Sequence, residues 1–453
     1  MSKPFPYQLD GASFLAGKNH ALLGDEMGLG KTAQAILGLE HVRAGKVLIV
    51  CPSVARVNWL REFKDWATTD RDFVIPFKIS DRPRATQSVI CSFDYALANV
   101  DILRQEHWDA LIVDECHFLK NHTAKRSAAL MGKRGLIRAA ARTWLLSGTP
   151  APNHAGELWI LLYTFGATPL KYDAFVDRFC ITSNTSYGIK IHGTNTARIP
   201  ELRQLLKKIM LRRLKKDVMK QLPPISYQNC LVEPGPVDVE ILPSFTHYMI
   251  PVDRRDELKD EITRQAELLN TVYTNMKPKE VDKLAAMQSI WDSVSILRRY
   301  VGLQKCRDAI EHINNIFINK HAEKIVIFAI HRDVIETLRV GLRKHGAVCL
   351  YGGTDPKKRQ KNIDRFQNNP KCKIFIGNIS AAGTAITLTA AHHVFFVEQD
   401  WVPGNNAQAV MRCHRIGQEN PVTVKFFALA DSLDSHIMFL VKKKTMELTQ
   451  IFD

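Results

Sequence analysis

Residues 25–32, near the start of the chain, have the composition of a loop that binds phosphate groups. They read DEMGLGKT and directly follow the apolar run 21–23. Glycines let such a loop curl so that successive N–H groups point at phosphate oxygens, while the Lys adds a charge for the β- and γ-phosphates and the Thr a hydroxyl ligand for Mg²⁺. The helical pattern that follows directs its N-terminal dipole at the same anion. The predicted nucleotide-binding residues of the loop are Asp25, Glu26, Met27, Gly28, Leu29, Gly30, Lys31 and Thr32.

An acidic pair offers the groups that hydrolysis of a nucleotide triphosphate requires. Asp114 and Glu115 follow the apolar run 110–113. A carboxylate at the end of a parallel strand beside a phosphate loop can hold Mg²⁺, and a second one can orient or deprotonate the attacking water. We assign the metal to Asp114 together with Thr32, and the water to Glu115. Alone, two adjacent acids would fit a solvated turn equally well, but their position after the phosphate loop in the same predicted sheet favours a site.

Two arginines near the C-terminus could supply positive charge to the γ-phosphate. Arg412 and Arg415 stand three residues apart in the segment QAVMRCHRIGQ (408–418), a spacing that predicts one face of a helix. Guanidinium groups presented by a second domain can act as arginine fingers in phosphoryl transfer. In isolation the segment would equally fit a basic surface helix. The predicted catalytic residues are Lys31, Asp114, Glu115, Arg412 and Arg415.

The elements that position these residues are predicted to form two α/β domains. Residues 1–165 alternate short apolar runs with helical stretches, which indicates a parallel sheet covered on both faces. The pattern fades over 166–300, which we predict to be a helical insertion or bridge, and returns over 301–453 without a second phosphate loop. The predicted strands lie in the runs 46–52, 88–93, 110–115, 143–148, 324–330, 347–353, 372–378, 393–399 and 422–430.

The composition indicates a nucleic-acid partner. The chain of 453 residues has a formal net charge of +16 and a pI near 9.4, and a surplus of this size favours a polyanion. No apolar run approaches the roughly 20 residues that span a bilayer, and the N-terminus lacks a signal-peptide core, so we expect no membrane partner. The nine cysteines include no C-x-x-C pair, which indicates reduced thiols in a cytosol-like compartment.

Taken together, the motifs resemble those of superfamily 2 helicases, and in particular the SWI/SNF-type DNA translocases. The resemblance rests on DEMGLGKT, the DECH box (114–117), LLSGTP (145–150) and QAVMRCHRIGQ in that order, and it covers the chain from Gln8 to about Phe439. Asp25 stands where the general phosphate-loop pattern begins with Gly, and the same substitution is usual in SWI/SNF-type motors. The compact fork-remodelling, annealing-helicase branch is the most similar, judged mainly from the segment LRRLKKDV.

This resemblance implies two RecA-like P-loop NTPase lobes joined by the helical insertion, with ATP and Mg²⁺ as cofactors. It also implies that Gln8 reads adenine and that Gly383 takes part in nucleotide binding. The segment SAAGTAITL (380–388) departs from the family pattern, since it keeps Gly383 but lacks the usual Asn. The change falls in the loop through which the resemblance implies that ATP is coupled to DNA.

The predicted function is that of an ATP-driven DNA motor that unwinds or branch-migrates forked and four-way junctions, with little sequence preference, in replication, recombination or repair. One alternative is a translocase that displaces proteins from duplex DNA without separating strands. Another is a catalytically weak, ATP-gated DNA-binding switch. We expect the chain to work as a monomer, with no protein partner identifiable from the sequence. The expected location is the cytoplasm of a bacterium or of a phage-infected host, or the nucleus in a eukaryote.

Overall fold

The chain folds into two units, each built on its own parallel sheet. The computed structural model describes residues 3–185, 188–219, 221–232, 295, 298–382, 386–430 and 432–452. The first unit comprises residues 1–222 and 443–453, and the second comprises residues 223–442. Both sheets consist of parallel strands with helices packed against them, which confirms the predicted α/β class with two lobes.

In the first unit seven parallel strands form a sheet in the order β3-β4-β2-β5-β6-β1-β9, and β7 and β8 form a separate antiparallel pair. The strands are β1 (His20–Leu23), β2 (Val47–Cys51), β3 (Phe73–Val74), β4 (Ser88–Ser92), β5 (Ala110–Asp114), β6 (Thr143–Leu146), β7 (Cys180–Thr185), β8 (Gly188–Thr194) and β9 (Met210–Leu211). The helices are α1 (Pro6–Ala16), α2 (Lys31–His41), α3 (Arg56–Trp66), α4 (Phe93–Ala98), α5 (Val100–Gln105), α6 (Lys125–Met131), α7 (Trp159–Thr164), α8 (Tyr172–Phe179), α9 (Ile199–Lys207) and α10 (Lys215–Val218).

Alternate residues of these strands pack into two different apolar clusters, so both faces of the sheet are covered. In β2, Val47 and Ile49 face α2 and α3, whereas Leu48 and Val50 pack with residues of α4, α5 and α6. This double burial explains why the strands read as continuous apolar runs, without the alternation of a half-exposed strand. The predicted runs at 46–52, 88–93, 110–115 and 143–148 correspond to β2, β4, β5 and β6.

The second unit contains six parallel strands in the order β10-β15-β14-β11-β13-β12. They are β10 (Ile225–Val232), β11 (Ile325–Ala329), β12 (Ala347–Leu350), β13 (Ile374–Asn378), β14 (His393–Phe396) and β15 (Val422–Leu429). The helices are α11 (Cys306–Ile318), α12 (Arg332–Gly341), α13 (Pro356–Asn368), α14 (Ile379–Ala382), α15 (Pro403–Val410) and α16 (Leu433–Phe452), whose last residues belong to the first unit.

The predicted helical segment 166–300 is only partly described. Residues 233–294 lie outside the described residues, so the boundaries of an insertion stay a prediction. Within the described part, β7 and β8 form an antiparallel pair, β9 joins the first sheet and β10 joins the second. The segment is therefore less purely helical than its sequence indicates, because short edge strands such as the two-residue β9 carry little periodic signal.

One feature of the first sheet bears on function. In the first sheet β5, β6 and β1 are consecutive neighbours, and parallel strands place their carboxyl ends at one edge, where ligands of open α/β sheets bind. The segments that follow these three strands are therefore adjacent.

None of the helices in the described ranges combines the length and the hydrophobicity that a membrane-spanning helix requires.

Candidate active site

The phosphate loop connects β1 to α2 and has the backbone conformation that its glycines allow. Gly28 and Gly30 have φ angles of 87° and 69°, in a region that favours glycine. Helix α2 begins at Lys31, with Gly30 as its N-cap, so the N–H groups and the dipole of its first turn are directed at the loop. A Cβ added at Gly30 would lie 2.4 Å from Gln8 Nε2. The buried Gln8 therefore lies against the start of the phosphate-binding helix.

The Lys31 ammonium lies between the loop and the acidic pair. Its Nζ donates to the backbone carbonyls of Asp25 at 2.8 Å and of Glu26 at 3.3 Å. Burial lowers the pKa of Lys31, while the nearby carboxylates of Glu115, Asp25 and Asp114 raise it. The structure thus brings Lys31, Asp114 and Glu115 together at one edge of the sheet.

Asp114 ends β5 in a half-buried position and accepts two hydrogen bonds. Trp59 Nε1 donates to its Oδ2 at 3.0 Å, and the Glu115 N–H donates to its Oδ1 at 2.9 Å. The pKa of Asp114 is raised to about 6, mainly by burial and secondly by the neighbouring charge of Glu115. Glu115 has a φ of 51°, which a residue with a Cβ rarely adopts and which is often found at functional sites. The turn after β5 therefore holds two carboxylates in a fixed, closely spaced arrangement.

An imidazole connects the acidic pair to the segment after β6. His117 Nδ1 lies 3.2 Å from Glu115 Oε2 and 3.3 Å from Ser147 Oγ. A Cβ added at Gly148 would lie 2.5 Å from Met27 Cγ and 3.4 Å from Lys31 Nζ. The SGTP segment therefore packs directly against the phosphate loop, and the ends of β1, β5 and β6 form one set of contacts around Lys31.

Asp25, the residue that departs from the general phosphate-loop pattern, forms a buried ion pair. Its carboxylate is 0% exposed and accepts from the Arg213 side chain through Nε at 3.1 Å and Nη2 at 2.6 Å, and from the Arg213 N–H at 3.0 Å. Gln34 Nε2 donates to the same carboxylate at 3.0 Å. Arg213 also donates to Gln34 Oε1 at 2.7 Å and to the Tyr7 carbonyl. Arg213 therefore links the phosphate loop to α1 and α2.

Gly11 and Arg212 adjoin this arrangement. A Cβ added at Gly11 would lie 1.7 Å from Gln34 Oε1 and 2.7 Å from Arg213 Nη2, so the close approach of α1 requires glycine there. Arg212 Nη1 donates to the carbonyls of Gly24 at 2.8 Å and Gly148 at 3.1 Å. The two arginines after β9 thus support the phosphate loop from one side.

We expect Arg213→Ala to destabilise the first unit strongly. It leaves the buried Asp25 carboxylate without its cation, and removal of one partner of a buried pair typically costs about 3–5 kcal/mol. The unfolding temperature, followed by circular dichroism, should fall markedly, and the affinity for ATP should fall with it because the loop loses its support.

Two comparisons make this expectation specific. The exposed pair of Arg178 and Glu201, at 2.6 Å, offers the control Arg178→Ala, which should leave the unfolding temperature nearly unchanged because solvent screens such pairs. The double variant Asp25→Asn with Arg213→Gln removes both charges and should be more stable than Arg213→Ala. Equal unfolding temperatures for Arg213→Ala and Arg178→Ala would contradict the assignment.

The donors near the phosphate loop fit Mg²⁺. Thr32 follows Lys31 in the first turn of α2, and Asp114 lies near Lys31, so a hydroxyl and a carboxylate oxygen are available. Mg²⁺ prefers oxygen ligands and is usually held by one or two protein groups together with phosphate oxygens and water. Within the described part of the chain no group of three or more His, Cys, Asp or Glu residues could hold a metal.

The arginines of the second unit do not lie on a helix, contrary to the prediction. Helix α15 ends at Val410, and Arg412 and Arg415 lie in the turns that follow. The helix ends there because backbone groups find partners elsewhere: Leu388 N–H donates to the Arg412 carbonyl at 2.8 Å, and Gly417 has a φ of 94°. Arg415 Nη1 donates to the Ile386 carbonyl at 3.2 Å. The arginine segment is thus fixed against residues 386–391 of the same unit.

The other predicted ligands have varied surroundings. Glu26 accepts from the Lys215 N–H at 2.7 Å, and Leu29 is fully buried in a small cluster with Tyr7 and Met219. The side chains of Glu26 and Leu29 therefore anchor the loop to neighbouring segments of the first unit. Gly383 lies outside the described residues, and its part in nucleotide binding stays a prediction.

Two residues at the site were not assigned a role from the sequence: Trp59 and His117. Arg213 lies in the basic segment 207–220, for which the sequence favours contact with DNA or phosphate, whereas the structure pairs it with Asp25. Each of the three lies in a segment with family resemblance, namely 51–66, 114–117 and 211–218. Their roles depend on contacts between segments far apart in the chain, and a single sequence does not contain that information. A buried Trp indole usually finds a hydrogen-bond acceptor, and this was the one available signal for Trp59.

In this parallel sheet a glycine-containing loop and a helix follow β1, and a pair of carboxylates follows β5, two strands away. This arrangement defines a P-loop nucleotide-binding fold. A family model described as an SNF2-related domain matches residues 7–283, more than half of the chain, and a second, described as a helicase conserved C-terminal domain, matches residues 308–417. The chain therefore belongs to the SNF2-related family.

Named relatives match over almost the whole chain. The "SWI/SNF-related matrix-associated actin-dependent regulator of chromatin subfamily A-like protein 1 homolog" of Caenorhabditis elegans is 28% identical over 459 residues, which cover 99% of this chain and 61% of that protein. The "DNA annealing helicase and endonuclease ZRANB3" of Homo sapiens is 29% identical over 462 residues, covering 98% of this chain and 40% of that protein. The chain thus spans about two fifths to three fifths of the length of these relatives.

Proposed function

We propose that this chain is a DNA-dependent ATPase that uses ATP hydrolysis to move on DNA. The observation that carries the proposal is the placement of Lys31 beside both Asp114 and Glu115 at the carboxyl edge of the first sheet. A phosphate-binding lysine beside one metal-binding and one water-orienting carboxylate is the arrangement that hydrolysis of a nucleotide triphosphate requires. Membership of the SNF2-related family supports ATP as the nucleotide and DNA as the partner.

Each residue has a proposed task. The loop N–H groups and Lys31 bind the β- and γ-phosphates, and Gln8 contacts the adenine. Mg²⁺, when bound to Thr32 and Asp114, would neutralise charge that develops on the phosphates. Glu115 orients and deprotonates the attacking water. The remaining proposed contacts to the nucleotide come from Gly383, Arg412 and Arg415.

The proposed substrate is branched DNA. The net charge of +16 favours a phosphate backbone, and phosphate contacts position a protein without reading sequence. The relatives include proteins named as DNA annealing helicases, which supports forked and four-way junctions in replication, recombination or repair. We propose that the chain works as a monomer, in the compartment that contains the cell's DNA.

The second candidate function is displacement of proteins from duplex DNA without strand separation. The observation behind it is a similarity to a relative named for its association with a DNA-binding protein, the "TATA-binding protein-associated factor mot1" of Schizosaccharomyces pombe, which is 27% identical over 511 residues covering 97% of this chain and 26% of that protein. The two functions differ in what stimulates the ATPase, and in whether strands separate.

A panel of DNA substrates distinguishes them. ATPase rate and strand displacement should be measured with single-stranded, blunt duplex, forked and four-way DNA of equal length, and with single-stranded RNA. We expect forked and four-way DNA to stimulate ATP hydrolysis most and to be unwound or regressed, with little response to RNA. Stimulation by duplex without strand displacement would instead support protein displacement, and equal stimulation by RNA and DNA would contradict the proposal.

A further inference from the structure

The segment between β3 and β4 presents two apolar side chains to solvent. Phe77 is 69% exposed and Ile79 is 59% exposed, whereas Pro76 between Phe77 and the strand is buried. An isolated exposed apolar residue needs no explanation, but an exposed aromatic side chain in an ordered segment is common at binding surfaces.

The exposure of these side chains is built into the segment by its hydrogen bonds. Asp81 Oδ2 accepts from the N–H groups of Phe77 and Lys78, both at 2.9 Å. Tyr95 Oη donates to the Asp81 carbonyl at 2.7 Å, and Asn99 Nδ2 donates to the Ile79 carbonyl at 3.1 Å. The segment is therefore tied to α4 and to its C-terminal end, and it holds Phe77 outward in a fixed position.

A guanidinium group supports the aromatic ring from one side. Arg56 lies 4.9 Å from the centroid of the Phe77 ring, and its Nη1 and Nε donate to the carbonyls of Pro76 at 2.6 Å and Ser53 at 2.9 Å. Arg56 is the first residue of α3, the helix that follows β2 at the carboxyl edge of the sheet. The ring thus lies on the same edge as the phosphate loop and Asp114.

The charge around the ring favours an anionic partner. Lys78, Arg82 and Arg84 are exposed, and Asp81, the acidic residue of the segment 75–87, is bound by the backbone amides described above. An aromatic face flanked by basic side chains is the combination that binds single-stranded nucleic acid, since the ring stacks on a base and the cations contact phosphates. A protein partner would be favoured by a wider apolar surface with fewer like charges.

We propose that Phe77, supported by Arg56, is a stacking platform for an unpaired base of DNA, with Lys78, Arg82 and Arg84 contacting the adjacent phosphates. The inference rests on the proposed function and makes it more specific, because unpaired bases occur at forks and junctions and not within intact duplex. Helix α3 also carries Trp59, which donates to Asp114, so one helix contacts both the platform and the candidate metal ligand.

The direct test uses Phe77→Ala and Phe77→Trp with two DNA substrates of equal length, a fork with unpaired arms and a blunt duplex. Phe77→Ala should bind the fork about 5- to 150-fold more weakly, the range expected for loss of one stacked base, while its affinity for the blunt duplex changes little. Phe77→Trp should retain fork binding. A 2-aminopurine placed in the unpaired arm should lose fluorescence on binding to the wild type and to Phe77→Trp, and not on binding to Phe77→Ala.

The control is Ile318→Ala, which removes a side chain that is 70% exposed at the end of α11 in the second unit. It should leave both affinities and the 2-aminopurine signal unchanged. Equal weakening of fork and duplex binding by Phe77→Ala, or no change in either, would overturn the stacking role, and the second result would favour a protein partner instead. The proposed function is tested by a separate measurement, the ATPase rate of the wild-type chain with each DNA. It fails if no DNA stimulates that rate.

Discussion

Lys31→Ala is expected to reduce DNA-stimulated ATP hydrolysis by at least about 10²–10³-fold, the usual cost of removing one charge-stabilising donor from an active site. The variant loses the charge for the β- and γ-phosphates and also changes the acidic pair. Lys31 lowers the pKa of Asp114, which is about 6 with the lysine present. Without it that pKa should rise towards neutrality, so the candidate metal ligand is less ionised at pH 7 and binds Mg²⁺ less well.

The pH dependence of this variant offers a second measurement. Because a carboxylate with a raised pKa becomes protonated as the pH falls through that value, wild-type activity should decline below about pH 6. Any residual activity of Lys31→Ala should decline at a higher pH. Steady-state ATPase rates between pH 5.5 and pH 8.5, at fixed Mg²⁺, would show the shift.

Lys18→Ala is the matched control for Lys31→Ala. Lys18 precedes β1 at the opposite edge of the same sheet, and its Nζ donates to the Lys208 carbonyl at 3.1 Å. Its loss should leave ATP hydrolysis near the wild-type rate. DNA binding, measured without nucleotide, should persist in both variants because Lys31 does not contribute to the proposed DNA contacts. A Lys31→Ala variant that hydrolyses ATP at the wild-type rate would refute the assignment of the active site.

The sequence was informative about the fold because the strands are buried on both faces. Continuous apolar runs such as 46–52 and 324–330 therefore stand out, and they correspond to β2 and β11. The acidic pair could be placed near the phosphate loop for a related reason, since parallel strands present their carboxyl ends at one edge. Local pattern and strand direction together were sufficient to predict that Lys31, Asp114 and Glu115 lie close together.

Contacts between distant segments could not be obtained in this way. Arg213 and Asp25 are separated by 188 positions, and neither periodicity nor spacing relates them. The general phosphate-loop pattern made Asp25 look like a departure, whereas its carboxylate has a clear structural role as the partner of Arg213. The assumption of a helix at Arg412 and Arg415 failed for the same reason, because the helix end depends on a bond from Leu388.

Glu115→Gln is the second variant with a large expected effect. Its amide has nearly the shape of the carboxylate but cannot take a proton from water, and loss of a general base typically costs roughly 10²–10⁴-fold in rate. ATP binding should be retained or become tighter, because the variant removes a negative charge close to Lys31 and to the phosphates. Single-turnover hydrolysis and equilibrium binding of a fluorescent ATP analogue measure the two effects separately.

Glu106→Gln makes the same chemical change elsewhere in the first unit and is the control for Glu115→Gln. Glu106 follows α5 and pairs with Lys46 at 2.6 Å on the protein surface, so its replacement should alter neither hydrolysis nor ATP binding. A Glu115→Gln variant that hydrolyses ATP within about threefold of the wild type would show that another group activates the water. A variant that instead loses ATP binding would place Glu115 among the residues that hold the nucleotide, because a general base acts on the chemical step and leaves the binding step intact.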